Sequence, residues 1–231
     1  MHERIIPYEE NLFFLINGNH SYFMDCIMWL FSGGIIWIPA ALFLLIAMYK
    51  KQWQEWIPIL AAIILLFVCC DQFSSSICKP LFARLRPTHY PGIEESVRTL
   101  YGYTGGKYGF ISGHATNAFG FATLTALLFR NRYYTVVIYL WALTMAYSRV
   151  YLGVHFVSDV VAGAIAGSAI GFGVFCLYRY FSRVFNTEYK CKRTYSTNRI
   201  NIITLTLAFY ILSIILFSEL LINIFKPTLF S

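Results

Sequence analysis

The sequence predicts an all-α polytopic membrane protein: a bundle of six transmembrane helices preceded by a short interfacial amphipathic helix. Three observations lead there. Of 231 residues, 58% are hydrophobic and only 13% charged, against roughly 25% charged in an ordinary soluble domain, and the mean hydropathy is +0.59. The apolar residues come in blocks long enough to cross a hydrocarbon layer of ~30 Å, which takes about 20 helical residues. The positive charges fall mostly between those blocks. Such a composition excludes a disordered chain and a coiled coil. A net charge of +7 invites nucleic acid, but no basic stripe with interleaved aromatics is present, so nucleic acid is not an expected partner.

The elements follow in order. Residues 8–17 alternate Leu12, Phe13, Phe14, Leu15 and Ile16 with Glu9, Glu10, Asn11 and Asn17, which suits a helix lying in the membrane interface and too short to span. Residues 1–10 carry Glu3, Glu9 and Glu10 without a basic start and apolar core, so the first apolar run is expected to be retained. Membrane helices are expected over 26–49, 56–77, 115–129, 134–147, 156–178 and 200–225. The third and fourth reach full span only if they continue through the polar residues at their ends. The whole chain, 1–231, reads as one membrane-embedded domain, with a motif core at about 72–161 and 199–225 as an additional C-terminal transmembrane helix.

Orientation follows from Lys and Arg. The connections after helices one, three and five carry Lys50, Lys51, Arg130, Arg132, Arg179, Arg183, Lys190, Lys192, Arg193 and Arg199, which belong on the cytoplasmic side. The long connection 79–113 and the turn at 149–154 then face outward, predicting a cytoplasmic-membrane protein with its site on the periplasmic or outer face. Gly163, Gly167 and Gly171 recur every fourth residue of the fifth helix and read as a close helix-packing stripe. The cysteines show no CxxC or Cys/His spacing and read as free thiols.

Three polar clusters interrupt apolar sequence at helix ends, and the six-helix count puts all of them on one side. Lys79, Arg86 and Arg149 supply fixed positive charge, and guanidinium forks pair bidentately with phosphate oxygens. Ser112 and Gly113 precede the third helix, whose free N–H groups favour an anion while glycine lets the backbone come close. His155 and Asp159 are four apart, so the carboxylate can hold one ring nitrogen and leave the other to attack. Taken alone, that pair is equally a capping or packing pair. His114 adds a group able to protonate a leaving oxygen, so the two histidines supply nucleophile and general acid without a metal.

Lys79-x6-Arg86-Pro87, Ser112-Gly113-His114 and Ser148-Arg149-x5-His155-x3-Asp159 resemble the three-part signature of the type 2 phosphatidic acid phosphatase (PAP2) superfamily. Ile111 stands where the second motif usually begins with proline. The resemblance implies a six-helix bundle that hydrolyses a lipid phosphate or diphosphate through a phosphohistidine. His155 is then the nucleophile, Asp159 its orienter and His114 the general acid, with Lys79, Arg86, Ser112, Gly113 and Arg149 on the phosphate. Within the superfamily the chain resembles membrane-bound bacterial members of the undecaprenyl-diphosphatase-like or lipid A phosphatase-like kind. Undecaprenyl diphosphate, lipid A phosphate and phosphatidylglycerol phosphate all qualify as substrates.

Other polar residues carry weaker readings. Arg84 neighbours the first motif and suits interface anchoring as well as phosphate contact. On the connection between the first two clusters, Arg98 and Lys107 are candidates for headgroup selection, while His89, Glu94, Glu95, Tyr101 and Tyr103 read as solvated. Asp25 and Asp71 border apolar runs and are explained by a surface position or a hydrogen bond to a neighbouring helix. No metal, cofactor or obligate protein partner is expected; the partners are the bilayer and its lipid phosphate. A phospho-headgroup transferase using the same histidine, or a non-enzymatic lipid-phosphate carrier, are the competing readings.

Overall fold

The computed structural model describes residues 6–49, 53–185 and 195–229, and the named elements among them are all helical. Lys50, Lys51, Lys190, Lys192 and Arg193 lie outside the described residues. Helix α1 covers Ile6–Asn17, α2 Tyr22–Ser32, α3 Ile38–Met48 and α4 Trp53–Asp71. A π-helical stretch, Gln72–Cys78, leads into the short α5, Lys79–Phe82. After a long connection come α6 Gly113–Phe129, α7 Arg132–Tyr151, α8 Val157–Phe185, α9 Thr197–Leu216 and α10 Ser218–Leu229.

Side-chain caps start several of these helices. Ser21, Ser112 and Ser196 each accept from the backbone N–H three residues on, and Asn131 accepts from Tyr133 and Tyr134, satisfying N–H groups that a helix leaves unpaired. Among the described residues, three helical stretches are each long and apolar enough to cross a membrane: Glu55–Phe82, Val157–Val184 and Thr197–Leu216. The segment 26–49, expected as one helix, is a pair, α2 and α3, bent by 71°. Gly33 and Gly34 start the break, Gly33 turning its N–H back to Leu30 and Trp29, and Pro39 restarts the helix. The segment 200–225 likewise divides at Phe217 into α9 and α10.

At the centre, α6 packs along α8, with α4 and α7 beside them. The α8 glycines make the approach possible. A methyl group added at Gly163 would lie 2.7 Å from the Ser112 carbonyl oxygen and one at Gly171 2.5 Å from that of Gly120, while one at Gly167 would strike the Thr116 carbonyl. One end of the bundle is tied by Tyr195 donating to the Met48 carbonyl (2.7 Å), Arg199 to the Tyr49 carbonyl (2.7 Å) and Asn131 to Asn201 (3.1 Å). The three polar clusters gather at the other end.

Helix α1 departs from the pattern expected of an interfacial helix. Its protein-facing side carries Glu9, Phe13 and Asn17, all buried, whereas Tyr8, Leu12 and Leu15 are exposed. Phe13 meets Phe156 edge-on at 5.6 Å, and Asn17 donates to the carbonyls of Arg98 (2.8 Å) and Tyr151 (2.9 Å). The helix is docked on the turn between α7 and α8, with Glu9, Phe13 and Asn17 inward.

Candidate active site

The first cluster is shaped by an unusual helix ending. Within the π-helical turn the Lys79 N–H reaches the carbonyl of Ser74, five residues back, and Lys79 Nζ donates to Ser75 Oγ at 3.3 Å. Such wider turns rotate the following side chains relative to an α-helix. Ala83 then ends α5 in the left-handed region at φ 44, and the chain becomes extended. Leu85 pairs with Tyr108: the Arg86 N–H donates to the Lys107 carbonyl (3.1 Å) and the Gly109 N–H to the Arg84 carbonyl (2.8 Å). Alternate residues of an extended segment point to one side, so Arg84 and Arg86 both enter the site. Gly109 leaves room for Arg86 and Asp159, since a Cβ there would lie 3.0 Å from Asp159 Oδ2 and 3.2 Å from Arg86 Cγ.

His155 sits in the tight turn between α7 and α8, where Gly153 takes φ +76, a conformation glycine adopts without strain. His155 is 1% exposed. Arg86 Nη1 lies 3.1 Å from Nε2 and donates to the Val154 carbonyl at 2.9 Å. A guanidinium has only N–H donors, so Nε2 offers its lone pair and the proton resides on Nδ1. Nδ1 faces Asp159 Oδ2 at 3.4 Å, an ion-pair distance that falls short of hydrogen-bond geometry. Burial, with Arg86, Arg149 and Lys79 adding to it, holds the imidazole well below its ordinary pKa. His155 is therefore neutral at pH 7, as a nucleophile must be.

Asp159 is fully buried. Its Oδ2 accepts from the Phe156 N–H (3.0 Å), its Oδ1 from Arg84 Nη1 (2.8 Å), and its carbonyl from the Ser112 N–H (3.0 Å). That last bond joins the second cluster to the third. Gly113 lies against Ser74, a Cβ there falling 3.2 Å from Ser74 Oγ. His114 is exposed, lies within electrostatic reach of His155, Arg149, Arg86 and Lys79, and heads a cavity of about 350 Å³. Trp37, Leu44, Met48, Phe121 and Trp141 line that cavity down into the bundle.

Arg149, 1% exposed, is held by Ser32 Oγ and by Tyr103 Oη at 3.0 Å. Burial pushes the Tyr103 phenol up, but Arg149, Arg86 and Lys79 outweigh it and leave the phenol below its ordinary value. The site thus gathers Lys79, Arg86, Ser112, Gly113, His114, Arg149, His155 and Asp159, and it is strongly cationic. Arg98 lies apart, its guanidinium 3.6 Å from Asp25. The Lys107 ammonium lies over the Tyr108 ring, 5.7 Å from its centroid, while its carbonyl supports Arg86. Asp25 accepts from Tyr151 Oη at 2.6 Å. No group of three or more His, Cys, Asp or Glu suited to a metal occurs among the described residues.

Sequence reasoning missed Glu9, Ser32 and Tyr103, and left Arg84 undecided. Only the Arg-x-Arg alternation in an extended stretch carried a signal for Arg84; the others are brought in from distant segments.

A neutral histidine lone pair beneath convergent guanidinium groups, opening on an apolar cavity, suits phosphoryl transfer from a molecule with a hydrocarbon tail. The class this defines is a membrane lipid phosphatase. The chain belongs to the PAP2 superfamily, whose sequence profile matches residues 55–183. It is 42% identical over 179 residues to the lipid A 4'-phosphatase of Porphyromonas gingivalis, covering 77% of this chain and 76% of that one. It is 39% identical over 180 residues to the lipid A 4'-phosphatase of Bacteroides thetaiotaomicron, covering 77% and 79%. Among solved structures it resembles the crystal structure of Aquifex aeolicus LpxE, with a TM-score of 0.55 and 27% identity over 72% of this chain and 93% of that one.

Proposed function

We propose that this PAP2 phosphatase removes a phosphate from a lipid A-type glycolipid through a phosphohistidine on His155. The observation that carries the mechanism is the His155 Nε2 atom held 3.1 Å from Arg86 Nη1, an N–H donor that leaves Nε2 to offer its lone pair. Arrival of the phosphate draws the guanidinium onto its oxygens and frees the lone pair. Nε2 then attacks phosphorus; the N–P bond forms as the ester P–O bond breaks, and His114, protonated once the anionic phosphate offsets the surrounding cations, delivers that proton to the departing sugar oxygen. In the second step water attacks phosphorus, the N–P electrons return to Nε2, and His114 takes the proton from water. Lys79, Arg86, Arg149 and the N–H groups opening α6 stabilise charge on the phosphoryl oxygens in both steps. Asp159 opposes the positive charge that develops on the ring.

The substrate class rests on similarity to two lipid A 4'-phosphatases across three quarters of the chain. The apolar cavity below His114 supports a hydrocarbon tail beside the phosphate. We read the bundle as six crossings: α2 with α3, α4 through α5, α6, α7, α8, and α9 with α10. Arg130, Arg132, Arg179, Arg183 and Arg199 lie in connections or helix ends away from the site, which favours a periplasmic or outer-facing site in the cytoplasmic membrane. The test is phosphate release by detergent-purified protein with EDTA present, from lipid A, undecaprenyl diphosphate and phosphatidylglycerol phosphate, each beside His155→Ala. Release greatest from lipid A and abolished in the variant is expected. Release that survives His155→Ala would refute the phosphohistidine, and preference for another lipid would refute the substrate.

A further inference from the structure

We propose that Glu9 and Arg84 are positioning residues for catalysis, which makes the N-terminal helix part of the active-site scaffold; this rests on the phosphohistidine reading of His155. Arg84 is almost entirely enclosed, its side chain 8% exposed, and it joins three elements. Nη2 pairs with Glu9 Oε2 on α1, while Nη1 donates to Asp159 Oδ1 (2.8 Å) and to Ser158 Oγ (2.5 Å) on α8. The guanidinium also lies 4.6 Å from the centroid of the Phe156 ring, the residue next to His155. The second oxygen of Glu9 accepts from the Ser158 N–H at 3.0 Å. Glu9 thus caps the start of α8 and holds Arg84 with one carboxylate.

The charges explain why both residues are needed. Asp159 faces the protonated Nδ1 of His155 and must oppose the positive charge the ring acquires as Nε2 bonds to phosphorus. Arg84 fixes that carboxylate through its other oxygen, but a guanidinium so close would by itself cancel the charge Asp159 provides. Glu9 offsets the guanidinium, so the buried Glu9–Arg84–Asp159 group keeps one net negative charge toward the ring. Low-dielectric surroundings make such a balance matter far more than it would in water. The Arg84 fork matches two carboxylates at once, a geometry that lysine lacks.

Glu9→Gln keeps the shape and its acceptor for Ser158 while removing the charge. Expected is a fall in kcat of about 10- to 100-fold, the scale of misplacing a catalytic group, with KM and competitive inhibition by inorganic phosphate changed less than about threefold, because the cationic cradle is untouched. Glu9→Asp should recover part of the loss. Glu9→Gln with Arg84→Gln should be no worse than the poorer single variant, since the two act as one unit. Each is assayed beside its own thermal melt in detergent and beside His155→Ala. A parental kcat in Glu9→Gln, losses that multiply in the double variant, or kcat falling only in step with the folded fraction would overturn the proposal. Activity surviving in His155→Ala would instead overturn the reading it rests on.

Discussion

Replacing Gly163 by alanine tests how tightly the two site-bearing helices are locked. The new Cβ would lie 2.7 Å from the Ser112 carbonyl oxygen, so reaching an ordinary contact of 3.4 Å requires α8 and α6 to part by about 0.7 Å. The carbonyl has little freedom to tilt, because it already accepts from the Thr116 N–H (3.0 Å) and Thr116 Oγ1 (2.9 Å). Gly163 is one turn beyond Asp159, and the Ser112 N–H donates to the Asp159 carbonyl at 3.0 Å. The displacement therefore falls between the phosphate-binding start of α6 and the residue facing His155. Overpacking of this kind costs about 1–3 kcal/mol, or roughly 2–12 °C of melting temperature in a chain of this size. A misplacement of about 1 Å near the chemistry costs ~10²-fold, so kcat should fall about 10- to 100-fold. The assay is phosphate release in detergent beside a thermal melt. Gly173→Ala is the control, since a Cβ there meets nothing within 4 Å. If Gly163→Ala turned over and melted like Gly173→Ala, the close-packing argument would be wrong.

Arg86→Lys should lower kcat about 10²- to 10³-fold, as removal of a preorganised donor does, because one ammonium cannot span the Val154 carbonyl, the Tyr108 carbonyl and His155; steady-state phosphate release checks this. Tyr103→Phe leaves Arg149 Nη2 without its phenolic partner and should lower stability by about 1–3 kcal/mol, read as a shift in thermal or denaturant midpoint. The neutral His155 gives a signed pH effect. Its pKa is held well below the ordinary value by burial and the nearby cations, so below about pH 6.5 the unfolded chain binds a proton that the folded protein refuses, and stability falls as pH drops. Melting temperature measured from about pH 7.5 to about pH 5 should decline more steeply in the parent than in His155→Asn; equal slopes would show that His155 does not bear the burden.

Local sequence pattern already carries the all-helical membrane character and the short-range parts of the site. Apolar block length is set by bilayer thickness, and the spacing of His155 with Asp159 needs nothing beyond the helical repeat. The glycine stripe of α8 is legible for the same reason: period four puts small residues on one face whatever lies opposite. What lies opposite, the carbonyls of α6, is a tertiary fact. Helix continuity was also beyond the local pattern. Residues 26–49 carry no charge and read as one apolar block interrupted only by Ser32, Gly33 and Gly34, yet the two glycines let the chain bend by 71° and bring Ser32 onto Arg149. Glu9 and Arg84 lie 75 residues apart in the chain, as do Arg84 and Asp159, and Tyr103 reaches Arg149 across 46. Such pairings depend on which helix faces dock, and no local spacing encodes them. Helix α1 is the clearest case: its alternation of apolar and acidic residues gives a helix with two faces. Only packing against the α7–α8 turn decides that Glu9 faces inward, where burying a carboxylate without a cationic partner would be strongly unfavourable and Arg84 supplies that partner.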